Sequence, residues 1–522
     1  MSIATTMPRP ETALLTSQVR ASGIILHPTS LPGRFGIGDL GPEAYRFVDF
    51  LAATGQQIWQ LLPLGPTHAE EWHSPYSALS AFAGNPLLLS MELIHDQGLL
   101  DASALADAAA PADDAVDFAR VVELKERLLA QASANFQIRA SAALRDQLAQ
   151  FCRSASAWLD DYSLFMALRQ EQGPNWVHWE DRFRHREPAT LDAARKRLAP
   201  AIFCHKYIQF EFERQWSLLK HHANSRGVQI LGDLPFYVSA NSADVWAQPE
   251  LFQLSPTTLQ PVVEAGVPPE IFCADGQHWG NPVYDWQRLA QDDYKWWAER
   301  LKQSFHLYDF VRVDHFRAFE AYWTIPRGAA PKSGQWVKGP GADFFNAMLR
   351  HLPNLPELPI TAEDIGGITP EVQALREQFG FPSMFVLHFA FDGNIDNPYL
   401  PFRCRSGFVC YTGTHDTNTS IGWYRGLGDA ERKLWHDYIG APSSMGMQWD
   451  MIRLAWASVA KWAIAPLQDI LGLGGEARMN SPGTAFAANW RWRFRWESLS
   501  DVDCGRLTHL TKLYGRAPAG LH

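Results

Sequence analysis

Short apolar runs that end in glycine, proline or charge recur along the chain. Most are followed by stretches in which apolar residues return every three or four positions, the spacing of one helix face. The runs are 23–28 (GIILHP), 58–66 (IWQLLPLGP), 228–238 (VQILGDLPFYV), 309–316 (DFVRVDHF), 358–366 (LPITAEDIG), 383–391 (SMFVLHFAF), 407–416 (GFVCYTGTHD) and 463–470 (AIAPLQDI). After the first comes the helical EAYRFVDFLAATG. Strands alternating with helices form a parallel sheet, and eight such units predict a closed (β/α)8 TIM barrel of the α/β class. A doubly wound open sheet is the alternative. No G-x-G-x-x-G follows the first run, so a dinucleotide site has no support.

The second and third runs are far apart. Residues 100–160 are rich in Ala, Leu, Gln, Glu and Arg at helical spacing, and 191–225 reads as one long helix. These predict a mainly helical subdomain inserted at 91–225, with the alanine-rich DASALADAAAPADDA as a connection. Residues 1–20 read as an N-terminal extension and 21–522 as the catalytic barrel unit that the insert interrupts.

The fourth run, with its continuation FVRVDHFRAFEAYW, carries charge where a strand is expected. Residues two apart share a strand face, so Phe310, Arg312 and Asp314 point one way. The third run contains Gly232–Asp233, the fifth Glu363–Asp364 and the seventh His415–Asp416. In a barrel all C-terminal strand ends meet at one mouth, which brings these distant residues together. A lone charge inside a barrel is costly, so Arg312 and Asp314 are expected to make each other tolerable. Carboxylates around one pocket hold a metal, or perform acid–base and nucleophilic work on a sugar. Arg312 is expected to depress the pKa of Asp314, and the apolar neighbours of Glu363 to raise its own. Structural ion pairs in a barrel are the plain alternative.

Composition narrows the partners. The 522 residues are 46% apolar and 20% charged, with a net charge of −10, which disfavours nucleic acid and anionic membranes. The start, MSIATTMPRPETALLTSQVR, lacks the apolar core of a signal peptide, and no run of 18 apolar residues occurs. A cytoplasmic enzyme is expected; the short Ser/Thr-rich leader also permits organelle import. Six scattered cysteines, with neither C-x-x-C nor zinc-site spacing, fit a reducing compartment and imply no metal. Tryptophan is abundant, at 21 residues, and many lie beside glycine or polar groups. Indole faces stack on the apolar faces of sugar rings. NWRWRFRW at 489–496 is read as an outer helix near the C-terminus rather than a nucleic-acid patch.

Seven segments, in order, carry a resemblance: GIILHPTSLPGRFGIGDLG, SPYSALSAFAGNPLLL, GDLPFYV, VPPEIFCADGQHWGNPVYDW, VRVDHFRAFEAYW, TAEDIG and YTGTHDTNT. Over residues 21–495 the chain resembles the amylomaltases, or disproportionating 4-α-glucanotransferases, of glycoside hydrolase family 77, relatives of the α-amylases. The resemblance implies Asp314 as nucleophile, Glu363 as acid/base and Asp416 as the carboxylate that stabilises the transition state. It implies Arg312 and His415 as supporting residues and Tyr76 as the aromatic stacked on the sugar at the cleavage site. Asp233 matches the aspartate ending the third strand, and Phe272, Trp279 and Asn281 match a loop bordering the sugar groove. The implied reaction moves α-1,4-glucan segments from one maltodextrin to the 4-hydroxyl of another glucan or of glucose, through a covalent glycosyl-enzyme and without a cofactor. Two departures stand out: Glu270 after Pro268–Pro269 where the family has aspartate, and Ala318 where it often has glycine. An α-amylase-type hydrolase, a glucan-binding protein without catalysis and a phosphohydrolase built on His415–Asp416 are the rival readings.

Overall fold

Eight parallel strands close into a barrel in chain order: Ala21–Ile25, Ile58–Gln60, Gln229–Leu234, Phe310–Val313, Ile360–Ala362, Ser383–Val386, Phe408–Tyr411 and Trp462–Pro466. The eighth pairs with the first, Ala21 opposite Trp462. The computed structural model describes residues 19–106, 114–269, 275–484 and 487–520. The N-terminal extension lies outside them up to residue 18, as do residues 107–113 of the alanine-rich connection.

Every predicted run overlaps a barrel strand, and each strand is shorter than its run. Asp233 and Arg312 stay in the sheet, opposite each other, whereas Asp314, Glu363, His415 and Asp416 follow their strands. Ile25, Ile58, Leu231, Phe310, Met384, Val409, Tyr411 and Ile464 belong to one buried cluster that fills the barrel lumen. Val311 and Val313 instead join the larger core between strands and helices. Arg312 shares the inward face of Phe310, its Nε 3.4 Å from the Met384 sulfur. Asp314 is the first residue after that strand.

Helices follow most strands. In Pro42–Ala53 the buried residues Ala44, Phe47, Val48 and Leu51 make one stripe, and Pro42 sits in the first turn, where its missing N–H costs nothing. Burying a side chain such as Phe47 contributes about 1.5–3 kcal/mol. Between the second and third strands run Met91–Asp96, Ala102–Ala106, Phe118–Arg139, Ala142–Ser154, Ser156–Gln172, Pro188–Arg197 and Ala199–Ser225. The single helix expected over 191–225 is therefore two. Leu198 ends one and starts the next, and Pro200, lacking an N–H, cannot extend the first. Ala199–Ser225 packs on Ser156–Gln172 and also on Pro42–Ala53 and the third strand.

The inserts are not helical throughout. A four-stranded antiparallel sheet orders Gln277–Pro282, Val263–Val267, Ala321–Pro326 and Gln335–Lys338. Its strands AYWTIP and QWVK are rich in aromatic and β-branched residues, and Trp323 pairs with Trp336 across it, ring centres 5.2 Å apart. Trp279 and Asn281, expected in a loop, stand on its edge strand.

The outer helix expected at 489–496 does not form. That tract is an irregular extended segment that bridges Ala115 at Trp492. Arg491 donates to the Val116 carbonyl (2.6 Å), Arg493 to that of Gly33 (3.1 Å) and Arg495 to Asp114 (2.6 Å). Arginine and aromatic residues alternate with period two, which belongs to extended backbone and not to a helix. Among the described residues no helix is long and apolar enough to cross a membrane.

Candidate active site

Arg312, at the top of the lumen, is the electrostatic centre of the barrel mouth. Its Nη1 lies 2.8 and 2.7 Å from the two oxygens of Asp233 and 2.9 Å from Asp314 Oδ1. The Asp314 amide donates to the Leu234 carbonyl (3.0 Å), which fixes the residue just past the strand end. Arg312 depresses the Asp314 pKa, as expected, but burial outweighs it. Burial pushes it up to about 6; Arg312 pulls down, while Asp233 and Asp416 push further up. Burial dominates, and the same guanidinium also serves Asp233, whose charge adds to the rise.

Glu363 directly follows the fifth strand. Its backbone is tied at both sides, its N–H to the Val313 carbonyl (3.0 Å) and its carbonyl to the Phe316 N–H (3.0 Å). His315 has a left-handed backbone, φ 50°, uncommon for a residue with a side chain. Its amide donates to Glu363 Oε2 at 2.7 Å. Burial raises the Glu363 pKa to about 8, with Arg312 opposing and Asp314 adding to the rise. The apolar strand PITA leads to the raised value it predicts. Asp364 turns away into the wall, accepting from the Ser383 hydroxyl (2.8 and 2.7 Å) and the Met384 amide (3.0 Å), with Arg376 Nε at 3.0 Å.

Asp416 follows the seventh strand. Its Oδ2 is 3.1 Å from His415 Nε2, and its Oδ1 accepts from Asn480 Nδ2 at 2.6 Å. Burial alone would push its pKa up, but His415 and Asn480 outweigh burial and hold it well below the usual carboxylate range. Arg478 donates to the Asp416 carbonyl at 2.7 Å. Tyr76 joins the two halves of the mouth. Its hydroxyl donates to Asp233 Oδ2 (2.8 Å) and lies 2.6 Å from His415 Nε2. Its ring stacks on His415, centres 5.4 Å apart, planes at 15°.

These groups open on a cleft of about 1190 Å³ lined by Asp314, Glu363 and Asp416, with Tyr76, Arg312, Trp279 and Asn281 also on its walls. Asp233 is not on that wall. Its side chain is fully buried and bonded to Arg312 and Tyr76. His415 is likewise buried, beside Tyr76 and Asp416. Trp279 meets His315 edge-on, centres 4.8 Å apart, and Asn281 donates to the Val238 carbonyl (2.9 Å), pinning the accessory sheet to the loop after the third strand. Phe272 and Glu270 lie outside the described residues. Ala318 is fully buried in the short turn Phe316–Phe319.

Sequence reasoning missed Asn480, Arg478, Trp490, Trp72, Trp336 and His388, all on the cleft wall. Arg478 and Asn480 had a legible signal, because they follow the eighth strand at the same mouth. The Trp336 ring centre lies 3.8 Å from the Arg317 guanidinium, stacked face to charge. The arrangement suits acid–base chemistry, since neighbouring carboxyls have pKa values pushed apart by their surroundings.

A family model described as 4-alpha-glucanotransferase, glycoside hydrolase family 77, matches residues 26–499. A curated 4-alpha-glucanotransferase of Synechocystis is 47% identical, covering 95% of this chain and 98% of its own. One from Aquifex aeolicus is 42% identical, covering 95% and 100%. The solved amylomaltase from Streptococcus agalactiae, in complex with acarbose, superposes with a TM-score of 0.91 at 35% identity, covering 96% of this chain and all of that one.

Proposed function

The chain belongs to the 4-alpha-glucanotransferases of glycoside hydrolase family 77, and on that premise we propose a retaining double displacement carried by Asp314 and Glu363. The protein is a 4-alpha-glucanotransferase. Its donors in this reading are α-1,4-glucans, and its acceptors are other glucans or glucose. Asp314 attacks the anomeric carbon while Glu363 protonates the departing glycosidic oxygen, leaving a covalent glycosyl-enzyme. Glu363, now a carboxylate, takes the proton of the incoming 4-hydroxyl, and the second displacement restores the α-configuration. Asp416, kept ionised by His415 and Asn480, has lone pairs left for sugar hydroxyls and for the positive charge that develops on the ring. Tyr76 offers a face for the sugar. Asp233 acts through Arg312 and Tyr76.

One observation carries this reading. In the same cleft burial pushes both carboxyls up, Glu363 further than Asp314, which Arg312 holds down at 2.9 Å. An acid and a nucleophile are thus both ready at neutral pH. Trp279, Trp336 and Trp490 around the carboxylates are the surfaces on which a sugar acceptor competes with water. We place the enzyme in the cytoplasm, with residues 21–522 as one catalytic unit, 91–225 as its insert and 1–20 as an extension.

The test is maltotriose alone, with products separated by length. A ladder of shorter and longer maltodextrins with free glucose, and little gain in reducing ends, supports the reading. Rising reducing ends without longer products mean hydrolysis. No reaction at all favours a binding protein.

A further inference from the structure

The residue after Asp314 holds a backbone conformation that residues with a Cβ adopt at a cost. His315 sits at φ 50° and ψ 45°, in the left-handed region. Among the described residues, eight residues other than glycine have positive φ. Seven of them donate their amide to a backbone carbonyl and so close a turn. The His315 amide alone goes to a side chain, Glu363 Oε2, at 2.7 Å.

The surroundings over-determine this conformation. The next amide, that of Phe316, donates to the Glu363 carbonyl (3.0 Å), and the His315 carbonyl accepts from the Ala318 amide (3.0 Å). Two consecutive amides thus grip Glu363, one at its carboxyl and one at its backbone. The imidazole packs edge-on against Trp279, centres 4.8 Å apart, with Tyr237 at 6.3 Å and Phe236 at 6.5 Å. A residue held in a sparsely populated region needs such neighbours, and residues of this kind gather at active sites. The ring itself has little to do with the carboxylates. Burial keeps it neutral, its pKa pushed down to about 3, and its Nε2 has no hydrogen-bond partner.

We propose that His315 is a positioning residue whose left-handed backbone, and not its imidazole, decides which oxygen of Glu363 handles the proton. The amide occupies Oε2 as an acceptor, so the proton of the neutral carboxyl sits on Oε1. Oε1 gives that proton to the departing glycosidic oxygen. The carboxylate left behind stays on the same amide, whose hydrogen bond strengthens once its acceptor is charged. Oε1 then takes the proton of the incoming 4-hydroxyl. One oxygen serves both halves of the reaction, and the carboxyl does not turn over between them. This inference rests on the reading of Glu363 as the acid/base.

The experiment compares His315→Val with His315→Asn in the full chain, with maltotriose as substrate. Both variants lack the imidazole. They differ in the backbone, because a β-branched residue resists positive φ and asparagine tolerates it. His315→Val should lower kcat by about 10²-fold, the cost of misplacing a catalytic group by about 1 Å, with KM little changed. It should also move the alkaline limb of the pH–rate profile upward, because the amide favours the ionised form of Glu363. Arg312, Asp314, Asp364 and Tyr399, the other groups that face Glu363, are the same in both variants. His315→Asn should recover most of kcat and the parent limb. Equal losses in the two variants, or a KM raised in both, would assign the work to the imidazole and overturn the proposal. If His315→Val does not fold, His315→Asn decides: a parent-like kcat and limb support the proposal, and a fall as deep as that expected of valine overturns it. The parent ladder and its loss in Glu363→Gln test the acid/base reading without any change at 315, so the two failures are distinct.

Discussion

Asp233 holds Arg312 through both carboxylate oxygens, at 2.8 and 2.7 Å from the same guanidinium nitrogen, and neither side chain is more than 4% exposed. Nearly everything at the barrel mouth depends on that pair. It neutralises Arg312 in part and leaves Asp314 with a weaker hold on the proton-free state. It also gives Tyr76 an acceptor.

Removing the arginine is therefore a stability experiment. Arg312→Met leaves two carboxylates without a counter-charge and should cost about 3–5 kcal/mol in urea unfolding, the range for breaking one side of a buried ion pair. The double variant Arg312→Met with Asp233→Asn should recover part of the loss. An equal loss in both would show that the pair is not the source.

Asp233→Asn alone is expected to shift the acid limb of kcat/KM to lower pH. Asp233 raises the Asp314 pKa, so an uncharged side chain leaves Arg312 to Asp314 alone. The pH–rate profile of the variant reads this directly; an unmoved limb contradicts the division of charge.

The parent profile should be a bell. Activity falls below about pH 6 as Asp314 gains its proton and above about pH 8 as Glu363 loses its own. Glu363→Gln should lower the transfer rate by about 10²- to 10⁴-fold, the usual contribution of a general acid–base group.

The same substitution has an opposite effect on stability. The folded-state pKa of Glu363 is raised, so its stabilising contribution is complete below the ordinary value of 4.5 and is lost as pH climbs to about 8. Glu363→Gln cannot ionise and escapes that loss. Melting curves at pH 5 and pH 9 should show its advantage over the parent growing with pH.

Asn480→Ala removes the donor 2.6 Å from Asp416. A hydrogen bond to a charged group is worth about 1.5–3 kcal/mol, so the transfer rate should fall by about 10-fold or more. Gly413→Ala attacks the same loop sterically. Its new Cβ would lie 2.4 Å from His388 and 2.6 Å from the Thr417 hydroxyl, and overpacking of this kind costs about 1–3 kcal/mol. Urea unfolding should show a loss of that size in the glycine variant.

The eight strands were legible because most of their residues are apolar, one face toward the lumen and one toward the helices. Phe310 and Val311 show the two faces in adjacent positions. The tract at 489–496 has a period of two, which signals extended backbone and not the helix expected there. Trp279 and Trp336 carried no sign that antiparallel pairing would bring them to one wall.

By itself, then, the sequence determined the barrel and the carboxylates around its mouth, because strand alternation and charged strand ends are local patterns that one topology gathers. Their chemical states were decided only by tertiary structure. Residue 233 lies far in sequence from 312 and 314, and it is this third partner that divides the arginine's charge and lets burial lift Asp314. Residue 480 reaches Asp416 from the end of another strand. A pKa is a sum over neighbours in space, and neighbours in space are what a linear pattern does not list.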